Sequence, residues 1–487
     1  MKKVLAIVLA AVMVIGLAAC GTTPAANNNT APAANNAANN AAPAANNAAN
    51  NAAPAGNNAA NNAAPAGNNA NNAAPAEAGP TVATVSPNGQ KYSWVPTHLF
   101  FKEDAEFVFR DYVQVELLHK LQTKDGAICM SLDDMYRLYA PDFKVTTDGD
   151  KITVEHATVK AEATIGSKSI TTYKGAAEMS VAPYKDGKTI YMPIYDFLCN
   201  GFGKVSSEAT KITKFYCVSD TEEGKITRND TYQLERGYRG QNYGLCQFGY
   251  WFEAAERVEP VVVYVPWTYD EAKPQKLIVF LHGAGGNCVG NGTGERGVQV
   301  AEAAERYGYM VAFVNGYCVS CNFGQIVQPA GLFPVTDKTD PKNPAGYSEG
   351  QLKDIDLSDK DVHAGIDFVK DHYNVDDKNM FIMGISMGGC GTWYQVAANP
   401  GMFNACSPAG AFVEPEFFDW SKVTTPTLYI GGTEDRNDFN LMVRAYKMAM
   451  EQGANIVKFE VVGGAPHGGE FPQRLDMIME FFDSYLK

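Results

Sequence analysis

Hydrophobic positions in the second half of the chain fall into short apolar runs separated by stretches of helical spacing. Val261–Val265, Leu277–Leu281, Tyr309–Val314, Met380–Met383, Pro426–Ile430 and Val457–Val462 read as strands. Leu277–Leu281 and Met380–Met383 are apolar at every position, as expected of parallel strands covered on both faces. Between these runs, Val300–Tyr307, Leu441–Gln452 and Leu475–Leu486 read as helices. So does a segment with Val362, Ile366, Val369 and Tyr373 at helical spacing. Regular alternation over 223–487 predicts an α/β architecture, a doubly wound, mainly parallel sheet.

The first half is patterned differently. Residues 81–222 consist mostly of short alternating segments and carry a loose internal repeat. Asp125-Gly126 with the strand-like Ala127–Met130 recurs as Asp186-Gly187 with Thr189–Met192, about 60 residues on. Each copy leads from a turn and short strand into a helix, Leu132–Tyr139 or Ile194–Cys199. Strands such as Lys151–Glu155 and Lys211–Phe215 follow. This predicts a smaller α+β repeat domain. Residues 21–80 are almost entirely Ala, Asn, Pro and Gly, without apolar periodicity. Such a stretch buries too little surface to offset chain entropy and reads as a disordered tether. In residues 1–20, Lys2 and Lys3 precede an apolar run from Val4 to Leu17, short for a membrane span and suited to an export signal.

A formal net charge of −14 over 487 residues argues against nucleic acid as a partner, since that needs a basic surface. The 10 cysteines show no zinc-like spacing; Cys318-x-x-Cys321 reads as a local disulfide or a pair of free thiols.

The candidate chemistry begins where a strand meets a helix, at Gly384-Ile385-Ser386-Met387-Gly388. A G-x-S-x-G between an apolar strand and a helix holds a serine on a strained turn with its hydroxyl proud of the sheet. Serine needs a base, and that base needs an orienting acid. Of the 7 histidines, His467 lies among glycines after a strand and before the last helix. Its place suits the chain order nucleophile, acid, base. The acid is expected just past Pro426–Ile430, where Asp435 is preferred to Glu434 and Asp438. Ser386, Asp435 and His467 then share one edge of the sheet, beyond the carboxyl ends of the strands. Oxyanion donors are expected from the N–H of Met387 and from the loop His282–Gly286, at Ala284. The long loop Asn315–Ser348 is expected to cover the site, with Tyr317, Phe323 and Phe333 as pocket aromatics or loop anchors.

Three segments resemble known families. Leu17-Ala18-Ala19-Cys20-Gly21 resembles the lipobox of bacterial lipoproteins. It implies cleavage before Cys20, a lipid on its sulfur, and a chain lipid-anchored at the extracellular face of the bacterial cell membrane. Residues 81–222 resemble the copper amine oxidase N-terminal-like domain, although Met192-Pro193-Ile194-Tyr195 lacks that family's arginine. No copper is implied, because His98, His119 and His156 are not at ligand spacing.

Residues 223–487 resemble α/β-hydrolases of the exported feruloyl esterase and polyhydroxybutyrate depolymerase-like group. The likeness is carried by Leu281–Gly286, Asp361-Val362, Tyr373–Asp376, Gly384–Gly389 and Pro466-His467-Gly468. It implies a serine carboxylesterase working through an acyl-enzyme with no metal or cofactor, acting on feruloyl or acetyl esters of plant cell-wall polysaccharide. Two alternatives remain beside it, a prolyl-oligopeptidase-type serine peptidase and a non-catalytic binding lipoprotein.

Overall fold

The computed structural model describes residues 90–202, 205–207, 215–219, 243–326, 340, 342–435 and 439–487. The expectations for the signal segment, Cys20, the tether, Phe333, Asp438 and most of Lys211–Phe215 lie outside those residues. Among the described residues, no helix is long and apolar enough to cross a membrane.

A single mixed sheet organises the described chain. Its strands are β1 (His98–Phe101), β2 (Phe107–Arg110), β3 (Val113–Glu116), β4 (Val205–Ser207), β5 (Tyr216–Ser219), β6 (Gly244–Phe252) and β7 (Arg257–Val265). They continue with β8 (Gln275–Leu281), β9 (Met310–Val314), β10 (Val375–Ile385), β11 (Ala405–Ala409), β12 (Thr427–Glu434) and β13 (Ile456–Pro466). Their order is β4-β5-β1-β2-β3-β6-β7-β9-β8-β10-β11-β12-β13. From β9 to β13 every neighbouring pair is parallel. Pairs β6–β7 and β7–β9 are antiparallel, so the longest unbroken parallel run is β9 to β13.

The helices are α1 (Leu132–Tyr139), α2 (Cys288–Thr293), α3 (Glu295–Tyr307), α4 (Glu349–His372), α5 (Met387–Ala398), α6 (Phe439–Glu451) and α7 (Leu475–Asp483). Strand side chains alternate between faces, which divides the core in two. Val279, Leu281, Val314 and Ile382 pack with Val362 and Ile366 of α4, Trp393 of α5 and Leu441 of α6. Ile278, Phe280, Phe313 and Met383 pack with Val300 and Ala304 of α3 and Ile478 and Phe482 of α7. Helices therefore cover both faces, as the strand–helix alternation predicts. Each fully buried Leu, Ile or Phe contributes about 1.5–3 kcal/mol to holding a helix in place. The start of α4 is fixed locally: Gln351 N–H donates to Ser348 Oγ at 3.3 Å and Ser348 N–H to Gln351 Oε1 at 3.0 Å, a reciprocal capping box.

The two repeat copies of the first half lie side by side. Ala127–Ser131 and Thr189–Pro193 pair antiparallel with Met130 opposite Met192, each continuing a hairpin closed by its Asp-Gly turn. A second small sheet runs from Phe143–Asp148 to Gly175–Glu178.

The large sheet does not stop at the boundary expected near residue 222. Strand β3 runs parallel to β6, with Gln114 opposite Phe248 and Val115 opposite Gly249. A side chain at 249 would meet Val115 and Val258 carbons at 2.9 Å, so glycine permits that close join. A buried polar group reinforces it. Arg257 pairs with Glu259 at 2.6 Å, donates to the Trp94 carbonyl at 3.0 Å, and stacks 3.8 Å from the Tyr92 ring centre. Asn315 Nδ2 donates to Glu259 and to Ser93 Oγ, each at 2.5 Å.

Candidate active site

Strand register brings the candidate residues to one edge. Ile385, the last residue of β10, lies opposite Ala409, the last of β11, so Ser386 and Gly410 leave the sheet as neighbours. Glu434 of β12 lies opposite Pro466 of β13, so Asp435 and His467 also leave together.

Ser386 has φ 57° and ψ −120°, a strained conformation for a residue with a side chain. Its neighbours hold it there. A Cβ at Gly388 would stand 2.0 Å from the Leu281 carbonyl oxygen, and one at Gly384 would stand 2.3 Å from the Gly388 oxygen. These contacts are with backbone, which no change of rotamer relieves. From Asn379 to Trp393, Ser386 alone is not buried. The hydroxyl-bearing residue is thus presented at the edge while everything around it is packed away.

His467 Nδ1 lies 2.8 Å from Asp435 Oδ2; the Asp435 side chain is fully buried and that of His467 is 24% exposed. A carboxylate accepting from Nδ1 fixes the tautomer, leaving Nε2 as the basic nitrogen. Glu434 is exposed and ends β12, so of the two described candidates Asp435 is the one bonded to the imidazole. Gly410 borders the ring: a Cβ there would come within 3.3 Å of His467 Cε1.

Met387 is the first residue of α5, and a helix leaves its first N–H groups without intrahelical partners and positively polarised. Ala284 is exposed in the turn after β8, where Gly286 N–H donates to Gly283 O at 3.1 Å. Gly285 N–H donates to Val319 O at 2.8 Å, which pins that turn to the Cys318–Cys321 disulfide loop. The turn faces the serine: a Cβ at Gly283 would lie 3.7 Å from Ser386 Cβ.

His282 serves structure. It is buried, with Nδ1 2.8 Å from the Gly283 oxygen and Nε2 2.7 Å from the Asn315 oxygen; burial lowers its pKa. Tyr317 and Phe323 are anchors rather than pocket walls. Tyr317 is 4% exposed and packs on Tyr92 and Phe252, while Phe323 is fully buried against His282. Cys390, inside α5, is no competing nucleophile, since burial pushes its thiol up to about 12.

Glu470 was not foreseen from sequence. It is fully buried beside His467, and burial, aided by Asp435, raises its carboxyl above the usual range. Its only sequence signal is its place in the glycine-rich turn of His467, because acidity alone does not show burial. Donor atoms of Asp435, His467 and Glu470 lie within 4.8 Å of one another, close enough to share a cation. The fit is poor: Asp435 already occupies Nδ1 of the ring, and the Arg296 guanidinium acts electrostatically on Glu470.

No protein-family model matches the chain, and no curated protein matches it in sequence. Among solved structures it is similar to an S-formylglutathione hydrolase from Agrobacterium tumefaciens at 16% identity and TM-score 0.39, covering 51% of this chain and 98% of that one. A feruloyl esterase module from Clostridium thermocellum, solved with sinapinate, is similar at 17% identity and TM-score 0.35, over 50% and 89%. An acylaminoacyl peptidase is similar at 15% identity and TM-score 0.36, over 78% and 66%.

Proposed function

We propose that this chain is a serine hydrolase of carboxylic esters, with Ser386 as nucleophile, His467 as general base and Asp435 as orienting acid. The observation that carries the reading is the buried Asp435 carboxylate 2.8 Å from His467 Nδ1, at the edge where Ser386 is held at φ 57°. In the reaction, Ser386 Oγ forms a bond to the ester carbonyl carbon as its proton passes to His467 Nε2. The carbonyl electron pair moves onto oxygen, where the N–H groups of Met387 and Ala284 receive it. Collapse expels the alcohol, which takes the proton from His467. Water then releases the acid by the same steps in reverse. Nucleophile, base, acid and donors all come from the chain, so the chemistry requires no cofactor.

Feruloyl or acetyl esters of plant cell-wall polysaccharide suit an exported enzyme tethered through a lipid on Cys20 at the extracellular face of a bacterial membrane. The test compares kcat/KM of the full chain and of Ser386→Ala on 4-nitrophenyl acetate, methyl ferulate and a proline-containing peptide anilide. Ester turnover lost in the variant supports the esterase, and a preference for ferulate supports the cell-wall substrate. Anilide cleavage would replace the reading with a peptidase, and no turnover at all would favour a binding lipoprotein.

A further inference from the structure

One buried carboxyl beside the site takes no part in the acyl transfer. Glu470 follows His467 in the same turn, its side chain is 0% exposed, and neither carboxylate oxygen has a side-chain hydrogen-bond partner. One of its oxygens lies within 4.8 Å of a His467 ring nitrogen and of an Asp435 carboxylate oxygen. Gly410 makes the room. A Cβ there would stand 2.6 Å from Glu470 Oε1, 3.3 Å from His467 Cε1 and 3.4 Å from His467 Nδ1. The carboxyl and the imidazole therefore flank the same bare backbone carbon at the end of β11. Burying a carboxyl without a side-chain donor is costly, and a group kept so beside the imidazole calls for an explanation.

The charged groups facing Glu470 come from three elements: Asp435 after β12, His467 on the same turn, and Arg296 on α3. The N–H groups of Gly468 and of Glu470 itself also favour its ionised form.

We propose that Glu470 is a positioning residue for the proton transfer, a second carboxyl that, with Asp435, stabilises the imidazolium form of His467. This rests on the reading of His467 as general base. When Ser386 Oγ attacks, its proton moves to His467 Nε2 and the ring gains a positive charge. Asp435 answers that charge through Nδ1, and Glu470 answers it through space without itself exchanging a proton. In the resting enzyme the ring is neutral, and Arg296 and the neighbouring N–H groups offset only part of the cost of burying Glu470 beside Asp435. Its favourable interaction is thus largest after the proton has moved, which is where an interaction accelerates a reaction.

The sign of the pH effect follows. Removing a negative charge from beside the ring makes the imidazolium less stable, so His467 loses its proton at lower pH. Glu470→Gln keeps the shape and removes the charge. In the full chain, the acidic limb of kcat/KM is expected to move down by about one pH unit, as a single charge near 5 Å in a partly screened site would cause. The His467 ring signals in an NMR titration are expected to move by the same amount. kcat is expected to fall about tenfold with little change in KM. Glu470→Asp, which keeps the charge, is expected to restore the limb.

A limb and a ring titration both within 0.2 of a pH unit of the wild type in Glu470→Gln would overturn the proposal, even with lowered activity, because packing alone would then explain the residue. The NMR titration needs no turnover. A shifted His467 titration in a chain that hydrolyses no ester would leave the coupling standing and remove only the functional reading.

Discussion

The N–H of Ser386 donates to the carbonyl oxygen of Ala409 at 2.9 Å. That one bond ties the candidate nucleophile to the end of β11, whose next residue, Gly410, borders the His467 ring. Gly410 N–H in turn donates to Ile430 O of β12 at 3.0 Å, the strand that ends beside Asp435. The candidate residues are thus placed by the ends of adjacent parallel strands, and rigid strand ends hold reacting groups better than free loops do.

Because the turn at Ser386 is held by backbone contacts, Gly388→Ala is expected to lower stability by about 3 kcal/mol or more. Its Cβ would stand 2.0 Å from the Leu281 oxygen and 2.7 Å from the His282 oxygen. Gly463→Ala, where nothing lies within 4 Å, is the control and is expected to stay within about 0.5 kcal/mol. Denaturant midpoints for the two variants measure the difference.

Asp435→Asn keeps the shape of the orienting side chain but presents an amide to His467 Nδ1, which disfavours the tautomer with a basic Nε2. The expected loss in kcat is on the order of 10⁴-fold with nearly unchanged Tm. A loss below tenfold in steady-state ester kinetics would place the orienting acid elsewhere.

Arg257→Met strands Glu259, fully buried at the join between the first half of the chain and the second. Breaking a buried pair on one side costs about 3–5 kcal/mol, whereas replacing both partners by apolar groups is often neutral. Chemical denaturation is therefore expected to show a large loss for Arg257→Met, mostly recovered in Arg257→Met with Glu259→Leu.

Residues 223–487 alone lack β3, the parallel neighbour of β6, and also lack Ser93 and Trp94, which meet Asn315 and Arg257. The isolated segment is expected to lose cooperative thermal unfolding while the full chain keeps it. A segment that melts as one sharp transition near the full chain's Tm would show that the join is dispensable.

Much of the site-bearing half is legible in sequence. Leu277–Leu281 and Met380–Met383 are strands because unbroken apolar runs suit a sheet buried on both faces, and Ser386 was marked by glycines whose absent side chains the backbone needs. Strand β11, Ala-Cys-Ser-Pro-Ala, has no such signal: its residues are small and its strand state comes from packing between β10 and β12. Helix α2, with Gly290, Asn291 and Gly292, is equally poor in propensity and is held by its Asn287 cap, which accepts from Gly290 N–H at 2.7 Å. The join of β3 to β6 depends on register between residues far apart in the chain, which one sequence does not encode locally. Glu470 was missed for a related reason, since the room for its carboxyl is made by Gly410, far from it in the chain, rather than by its neighbours in sequence.

The proposed chemistry stands on Ser386 being a nucleophile activated by His467. The most direct measurement treats the full chain with a fluorophosphonate, which phosphonylates an activated serine, and locates the adduct by mass spectrometry. One adduct is expected, on the peptide carrying Ser386, absent in Ser386→Ala and formed at least about 100-fold more slowly in His467→Ala. An adduct on another residue, or ester hydrolysis that persists unchanged in Ser386→Ala, would contradict it.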